Sequence, residues 1–175
     1  MRIAVLTISD AGARGERVDT SGDAIVAWAA ARGDMLVARA LVPDDTVAIV
    51  STVGPWCDAD AADLVVTTGG TGLGPRDVTP EATRALLDRE APGIAERIRA
   101  LGMQTTANAA LSRGVAGARG RTLIVNLAGS TPAVREGLAA LDPIVNHAVK
   151  ILRGDVTSHE GGPRHTAPRS QVLDP

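Results

Sequence analysis

The stretch covering residues 64–83 constrains the fold of this chain more than any other part of its sequence. A short apolar and β-branched run breaks into Gly69-Gly70-Thr71-Gly72, and the chain then reaches Thr79-Pro80. Threonine followed by proline is typical of a helix start, so the order predicts a buried strand, a glycine loop and a helix with Thr79 as its N-cap. Glycine lets the backbone approach a ligand and helix N-termini attract anions, so this corner is either a phosphate-binding loop or a tight turn in a parallel sheet.

Two charged residues inside the loop, Arg76 and Asp77, favour the binding interpretation, because a turn requires neither. A guanidinium group pairs well with phosphate, and a carboxylate can hold Mg²⁺. Asp77 has an alternative role, in which it pairs with Arg76 or accepts N–H groups of the loop.

The composition limits the classes of function. The 175 residues fit a single domain with its own core, and aromatic residues make up only 1%, so stacking of a nucleobase or another flat ligand on an aromatic ring is not expected. A net charge of -2 without basic clusters gives no sign of nucleic-acid binding.

The cellular setting follows from the single cysteine and the apolar runs. Cys57 cannot form an internal disulfide or a cysteine-rich metal site, and we expect a cytoplasmic protein. The apolar residues 3–8 are too few for a signal peptide and predict a buried strand instead. No apolar run is long enough to span a bilayer, so no membrane partner is expected.

Hydrophobic periodicity predicts an α/β fold, a three-layer α/β/α sandwich with a mainly parallel sheet. We expect strands at residues 3–8, 35–42, 64–68 and 122–127. We expect helices at residues 23–32, 46–53, 79–87, 94–101, 133–141 and 144–152. Gly54-Pro55 should end or bend the second of these helices, and Pro143 should separate the last two.

Segments of low apolar content complete the organisation of the chain. The loop from Ser9 to Gly22 is either the rim of an active site or a solvated connector. Residues 1–154 are predicted to form one domain, and residues 155–175 a polar, flexible tail. His159 and His165 in that tail lack a third metal ligand nearby.

The strand predicted at residues 122–127 repeats the design of the first corner. It runs into Gly129 and Ser130, and Thr131-Pro132 opens the following helix. In a parallel sheet both corners lie at the carboxyl edge of the strands, where ligands bind. We therefore expect two helix starts to face one cleft.

The glycine stretch also carries a family resemblance. Thr67-Thr68-Gly69-Gly70-Thr71-Gly72, followed after a short gap by Arg76-Asp77-Val78-Thr79-Pro80-Glu81-Ala82, resembles the signature of the molybdopterin-binding proteins. The chain is similar to the Mog/MoaB family of molybdopterin adenylyltransferases, related to the G domain of gephyrin, from about residue 3 to 154. Leu111-Ser112-Arg113-Gly114 extends the match, whereas residues 128–132 depart from the family's Pro-Gly-Ser-Pro because Ala128 and Thr131 replace the prolines.

The resemblance implies an enzyme that transfers AMP from ATP to the terminal phosphate of molybdopterin with the help of Mg²⁺. It assigns catalysis and the metal to Asp44 and Asp77, although Asp44 and Asp45 can instead cap the next helix. It assigns ligand binding to ten residues, which are Gly69, Gly70, Thr71, Gly72, Arg76, Thr79, Ser112, Arg113, Gly129 and Ser130.

Three functions are compatible with these residues. The first is the adenylyltransferase, and the second is a protein that binds molybdopterin without turnover, which the altered residues 128–132 leave open. The third is a nucleotide pyrophosphatase or a metal-insertion activity, which the resemblance associates with longer chains. The resemblance further implies a homo-oligomer, a trimer or hexamer, and contacts with other proteins of molybdenum cofactor biosynthesis.

Overall fold

The computed structural model describes residues 1–155, so the predicted tail, including His159 and His165, lies outside the described residues. The elements in chain order are β1 (Arg2–Ile8), α1 (Asp10–Ala13), α2 (Thr20–Ala31), β2 (Met35–Val42), α3 (Thr46–Asp58), β3 (Leu64–Thr68), α4 (Thr79–Leu86), β4 (Arg89–Glu90), α5 (Pro92–Gly102), a 3₁₀ turn (Ala107–Leu111), β5 (Ala116–Arg119), β6 (Thr122–Leu127) and α6 (Thr131–Arg153). None of the helices in this part of the chain is long and apolar enough to cross a membrane.

The six strands form one sheet in the order β2-β1-β3-β6-β5-β4. The first four strands run parallel, and β5 and β4 pair antiparallel at one edge. The prediction of a mainly parallel sheet between helical layers is therefore confirmed. The chain passes from β1 to β2 on one side and later to β3 on the other, so β1 and β3 flank a switch point of the kind where α/β proteins bind ligands.

The central strands are buried on both faces and supply two cores. Along β1, Ile3 and Val5 contact the side with α2 and α6, whereas Ala4 and Leu6 contact the side with α3 and α4. This alternation follows from the two-residue period of a strand. It explains why β1, β3 and β6 are continuous apolar runs, as expected for a parallel sheet covered on both faces.

The predicted helix end at residue 53 and the predicted separation of two helices at Pro143 are wrong, because proline lies inside a longer helix in both places. Pro143 lies within α6 and Pro55 within α3, and both are exposed. Proline removes one backbone hydrogen bond, but the carbonyl left without a donor can bond to water at an exposed position. The buried stripe of α6 continues across the proline from Leu141 to Val145, so its burial outweighs the cost of about 3 kcal/mol.

Several helices start at residues other than those predicted, and at α2 a side-chain cap is the reason. Helix α2 begins at Thr20 and not at residue 23, because the Asp19 side chain accepts the N–H of Gly22 at 2.8 Å and caps the helix earlier. The loop after β1 is correspondingly shorter and contains the short helix α1. Thr79 is the first residue of α4 and not its N-cap, which is Val78.

Strands β4 and β5 were not predicted. They have two and four residues, and β5 contains Gly117, so neither has the propensity of a strand. They form only because β6 offers an edge with which β5 can pair.

Asn126 is a buried polar residue that joins the layers beneath the carboxyl edge of the sheet. It is 3% exposed, and its Nδ2 donates to Thr67 Oγ1 at 2.9 Å and to Thr83 Oγ1 at 3.0 Å. Its Oδ1 accepts the N–H of Val115 at 3.2 Å. One side chain on β6 therefore fixes β3, α4 and the segment that leads into β5.

We predict that Asn126→Ala lowers the free energy of unfolding by about 2–3 kcal/mol, because it leaves a buried amide and two buried hydroxyls without their partner. Urea unfolding measures the change. Asn146→Ala is the control, since Asn146 is exposed on α6 and its Oδ1 accepts one exposed hydrogen bond, from Arg32 Nη2 at 2.7 Å, so its replacement should cost less than about 1 kcal/mol. Equal losses in the two variants would contradict the role given to Asn126.

Candidate active site

A pocket of about 270 Å³ lies at the carboxyl edge of the sheet, at the switch point between β1 and β3. Thr7 and Ile8 line it from β1, and Thr68 lines it from β3. Six of the predicted site residues also line it, and these are Asp44, Gly69, Gly70, Asp77, Gly129 and Ser130.

The glycine turn after β3 has a backbone that only glycine adopts without strain. Gly69 and Gly70 have φ angles of 100° and 61°. A Cβ on Gly69 would collide with the carbonyl oxygen of Ile8, and a Cβ on Gly70 would collide with Thr79 Oγ1 and lie 2.8 Å from Asp44 Oδ1. The absence of side chains at the two positions therefore keeps β1, the turn and Asp44 in close contact.

Thr79 holds this turn from behind and does not line the pocket. Its buried hydroxyl donates to the Gly69 carbonyl at 2.9 Å, and its N–H donates to the Gly70 carbonyl at 3.1 Å. Pro80 has no N–H, and the N–H of Ala82 donates to the Val78 carbonyl at 3.0 Å. At the start of α4, which the sequence predicts as an anion site, the N–H groups of Thr79 and Ala82 are therefore engaged within the protein.

Two other helix starts meet at the pocket. Asp19 and Ser21 line it from the first turn of α2, and Ser130, the N-cap of α6, lines it from the opposite side. The hydroxyls of Thr20 and Thr131 are 2.8 Å apart and hydrogen-bond the two helices to each other. The positive ends of two helix dipoles at one pocket favour an anionic ligand.

Asp44 and Asp77 approach the pocket with half of each carboxylate already bonded. Asp44 Oδ2 accepts the N–H of Asp10 at 2.8 Å, and Asp77 Oδ2 accepts the N–H of Gly74 at 2.7 Å. Within residues 1–155, no donor bonds to the Oδ1 atom of either aspartate. Asp45, not Asp44, caps α3, because its side chain accepts the N–H of Ala48.

The surroundings of Asp44 disfavour its negative charge. Burial raises the pKa of Asp44 most strongly. The N–H of Asp10 opposes this effect, the nearby carboxylates of Asp10 and Asp77 raise the pKa further, and Arg76 lowers it slightly. A carboxylate in such surroundings gains when a cation binds beside it.

The two aspartates fit a magnesium ion that is completed by a ligand. No group of three or more His, Cys, Asp or Glu side chains in the described part of the chain could hold a metal by itself. Mg²⁺ commonly binds to one or two carboxylates together with phosphate oxygens of a substrate. Asp44 and Asp77 supply oxygen atoms of that kind, so the donor set agrees with the predicted metal.

Arg76 binds to another side chain and does not line the pocket. Its Nε and Nη2 donate to the two oxygens of Asp10 at 3.0 and 2.9 Å. This pair, together with the N–H of Asp44, lowers the pKa of Asp10. Arg76 therefore fixes the side chain of Asp10, and the backbone N–H of Asp10 in turn donates to Asp44.

Arg113 stabilises the glycine loop through hydrogen bonds to its backbone. Its backbone N–H donates to Thr71, its Nε donates to the Gly72 carbonyl at 2.7 Å, and its Nη2 donates to the Asp77 carbonyl at 2.6 Å. It also forms an ion pair with Glu81. The N–H groups of Arg113, which the resemblance assigns to ligand binding, thus stabilise the conformation of the loop.

The remaining predicted residues line a second pocket of about 310 Å³, and these are Thr71, Gly72 and Ser112. Ser130 lines both pockets. The second pocket is more apolar, with Ile98 and Leu111 in its wall. The structure therefore divides the predicted residues between two pockets that share one serine.

Asp19 is a pocket residue that the sequence analysis did not single out. It accepts hydrogen bonds from Thr7 Oγ1 and Arg39 Nη2, each at 2.8 Å, in addition to its cap on Gly22. Burial alone would raise the pKa of Asp19, but the donors from Arg39, Gly22 and Thr7 lower it. The sequence Asp19-Thr20-Ser21-Gly22 carries the signal of an N-cap, which could have identified this residue.

Comparison with known proteins links this geometry to one family. The model of a probable molybdopterin binding domain matches residues 4–147. The molybdopterin adenylyltransferase of Helicobacter pylori (strain J99) is 36% identical over 157 residues, which cover 89% of this chain and 89% of that relative. The crystal structure of the molybdopterin biosynthesis enzyme MoaB from Thermus thermophilus is 52% identical with a TM-score of 0.83, covering 87% of this chain and 96% of that chain.

Some relatives are much longer than this chain. The molybdenum cofactor synthesis protein cinnamon of Drosophila melanogaster is 40% identical over 154 residues, which cover 87% of this chain but only 26% of that protein. The resemblance found in the glycine stretch thus extends over most of the chain and over a fold shared with a solved relative. The chain belongs to the family of molybdopterin-binding domains that includes the Mog and MoaB proteins.

Proposed function

We propose that this chain is a molybdopterin adenylyltransferase, which transfers AMP from ATP to the terminal phosphate of molybdopterin and releases pyrophosphate. Relatives with that name are 35–36% identical and match over about nine-tenths of this chain. They match over most of their own length as well, at 89% and 78%.

The observation that carries the proposal is the pair of aspartates at the pocket. Asp44 and Asp77 each keep one carboxylate oxygen bonded to a loop amide and have another without a donor in the described residues. This arrangement favours a ligand that brings both a cation and phosphate oxygens. A structural role alone does not account for Asp44, whose pKa is raised by burial and by the nearby carboxylates of Asp10 and Asp77 beside a pocket.

Nucleotidyl transfer requires positioning and charge neutralisation above all. Mg²⁺, when bound to Asp44 and Asp77, would supply charge neutralisation at the phosphates. The chain itself contributes the glycine turn, which admits a phosphate close to the backbone, and the starts of α2 and α6, whose dipoles favour its charge. No general base is needed, because the attacking phosphate is already ionised at neutral pH.

The oligomeric state, the cellular location and the partners of this protein are predictions. We propose a homotrimer or hexamer in the cytoplasm, with molybdopterin and ATP as ligands and contacts with other proteins of molybdenum cofactor biosynthesis. Size-exclusion chromatography with light scattering tests the oligomeric state.

The experiment that tests the proposed function supplies purified molybdopterin, ATP labelled in its α-phosphate, and Mg²⁺. Transfer of label to molybdopterin, with one pyrophosphate released for each AMP transferred, supports the adenylyltransferase. Binding of molybdopterin without transfer supports the alternative of a binding protein. Absence of both would reject the proposal.

We predict that Gly70→Ala weakens ATP binding by about tenfold or more, because the new methyl group displaces both Thr79 Oγ1, which holds the turn, and Asp44 Oδ1. Gly33→Ala is the matched control, since Gly33 also has a positive φ, 73°, but a Cβ there meets no atom within 4 Å. Both variants should lose about 1 kcal/mol of stability from backbone strain, and Gly70→Ala should lose more, because the buried Thr79 hydroxyl must also move. Calorimetry that finds equal ATP affinity in the two variants would reject a role of Gly70 in binding the phosphates of ATP.

We predict that Asp77→Asn lowers kcat for AMP transfer by about 100-fold or more, because it removes a charge that the metal requires while its amide oxygen can still accept the Gly74 N–H. Affinity for molybdopterin and the melting temperature should change little. The assay compares turnover, molybdopterin binding and melting temperature on one preparation.

Asp45→Asn is the control for Asp77→Asn, since Asp45 is exposed beside Asp44 and asparagine also caps helices well. It removes the same charge close to the pocket without touching the aspartates of the site. Wild-type turnover in Asp77→Asn, or an equal loss in Asp45→Asn, would remove Asp77 from the mechanism.

A further inference from the structure

A nucleotide bound in the pocket needs more positive charge than one metal ion provides, because the aspartates of the pocket are themselves negative. A divalent cation balances the charges of Asp44 and Asp77, and the phosphates of the nucleotide then remain to be neutralised. Three arginines near the pocket are already paired with carboxylates in the described residues, and these are Arg39 with Asp19, Arg76 with Asp10 and Arg113 with Glu81.

Arg17 differs from these arginines. It is an exposed residue of the loop between α1 and α2, and it lines the same pocket as Asp44 and Asp77. Its neighbour Arg14 pairs with Glu16 at 2.8 Å. Arg17 has no carboxylate within ion-pair distance among residues 1–155, so its guanidinium keeps its full donor capacity.

The loop that carries Arg17 is anchored beside the pocket at both ends. Ser9 caps α1 through the N–H of Gly12 at 3.1 Å, and Asp19 caps α2. Ser9, Gly12 and Asp19 also line the pocket. Arg17 is therefore held beside the pocket, while its long side chain remains able to adjust to a phosphate group.

We infer that Arg17 binds the β- and γ-phosphates of the nucleotide and the pyrophosphate that they form as the leaving group. This inference rests on the proposed function for its reaction, but the binding of pyrophosphate can be measured without turnover. A guanidinium group suits this role because it donates two parallel hydrogen bonds to phosphate oxygens and stays charged at all relevant pH values.

In the reaction, an oxygen of the molybdopterin phosphate forms a bond to the α-phosphorus of ATP. The bond from the α-phosphorus to the oxygen that bridges it to the β-phosphorus breaks, and its electron pair stays on that oxygen, which leaves with pyrophosphate. No electron acceptor and no proton donor is required. Arg17 neutralises charge that grows on the leaving group as this bond breaks.

The test compares Arg17→Gln, which removes the charge, with Arg17→Lys, which keeps it, and with Arg14→Gln, a charge removal on the same loop. Calorimetry with magnesium pyrophosphate should show affinity about tenfold weaker in Arg17→Gln, partly restored in Arg17→Lys and unchanged in Arg14→Gln. AMP lacks the β- and γ-phosphates, so its affinity should stay the same in all three variants.

Three results would overturn the inference. The first is that wild-type protein does not bind magnesium pyrophosphate, and the second is that Arg17→Gln binds it with wild-type affinity. The third is that Arg17→Gln loses as much affinity for AMP as for pyrophosphate. AMP transfer by the same preparations separates this inference from the proposed function. Arg17-dependent pyrophosphate binding without any wild-type transfer would reject the adenylyltransferase and keep the role of Arg17. AMP transfer by the wild type, together with unchanged pyrophosphate binding in Arg17→Gln, would support the adenylyltransferase and reject the role of Arg17.

Discussion

The hydrogen bonds of the buried Asn126 side chain determine where the pocket can form. They fix α4 to β3 and β6 through the hydroxyls of Thr83 and Thr67. Because α4 is held there, Thr79 at its first turn reaches the carbonyl of Gly69 and sets the path of the glycine turn. The site thus depends on neutral, fully satisfied hydrogen bonds within a rigid core, which can hold functional groups more accurately than a free loop can.

Charge is arranged differently around the pocket and inside it. Beneath the pocket and around it, arginines are paired with carboxylates and hold the loops in place, as Arg76 does through Asp10 and Arg113 does through Glu81. Inside the pocket, Asp44 faces like charge from Asp10 and Asp77 and partial burial, all of which raise its pKa. This unfavourable arrangement makes sense if a cation and an anionic ligand complete it, because each then relieves charge that the protein alone leaves uncompensated.

The sequence predicted the parts of the fold that depend on local pattern. The four parallel strands follow from continuous apolar runs, and the pocket position follows from glycine and Thr-Pro corners at strand ends. The continuity of α6 through Pro143 could not be predicted, because it depends on which side of the helix faces solvent. The roles of Arg76 and Arg113 could not be predicted either, since the partners Asp10 and Glu81 lie far from them in sequence, 66 and 32 residues away.

The most direct test of the electrostatic account is the melting temperature of wild-type protein and Asp44→Asn at pH 7, with and without MgATP. The raised pKa means that ionised Asp44 costs folding free energy at neutral pH, and this cost disappears when pH falls below the unfolded value of about 4. We therefore expect Asp44→Asn without ligand to melt at an equal or higher temperature, by up to about 2 °C, and to gain nothing from MgATP, which stabilises the wild type. A variant that melts lower without ligand and gains as much from MgATP as the wild type would contradict the account.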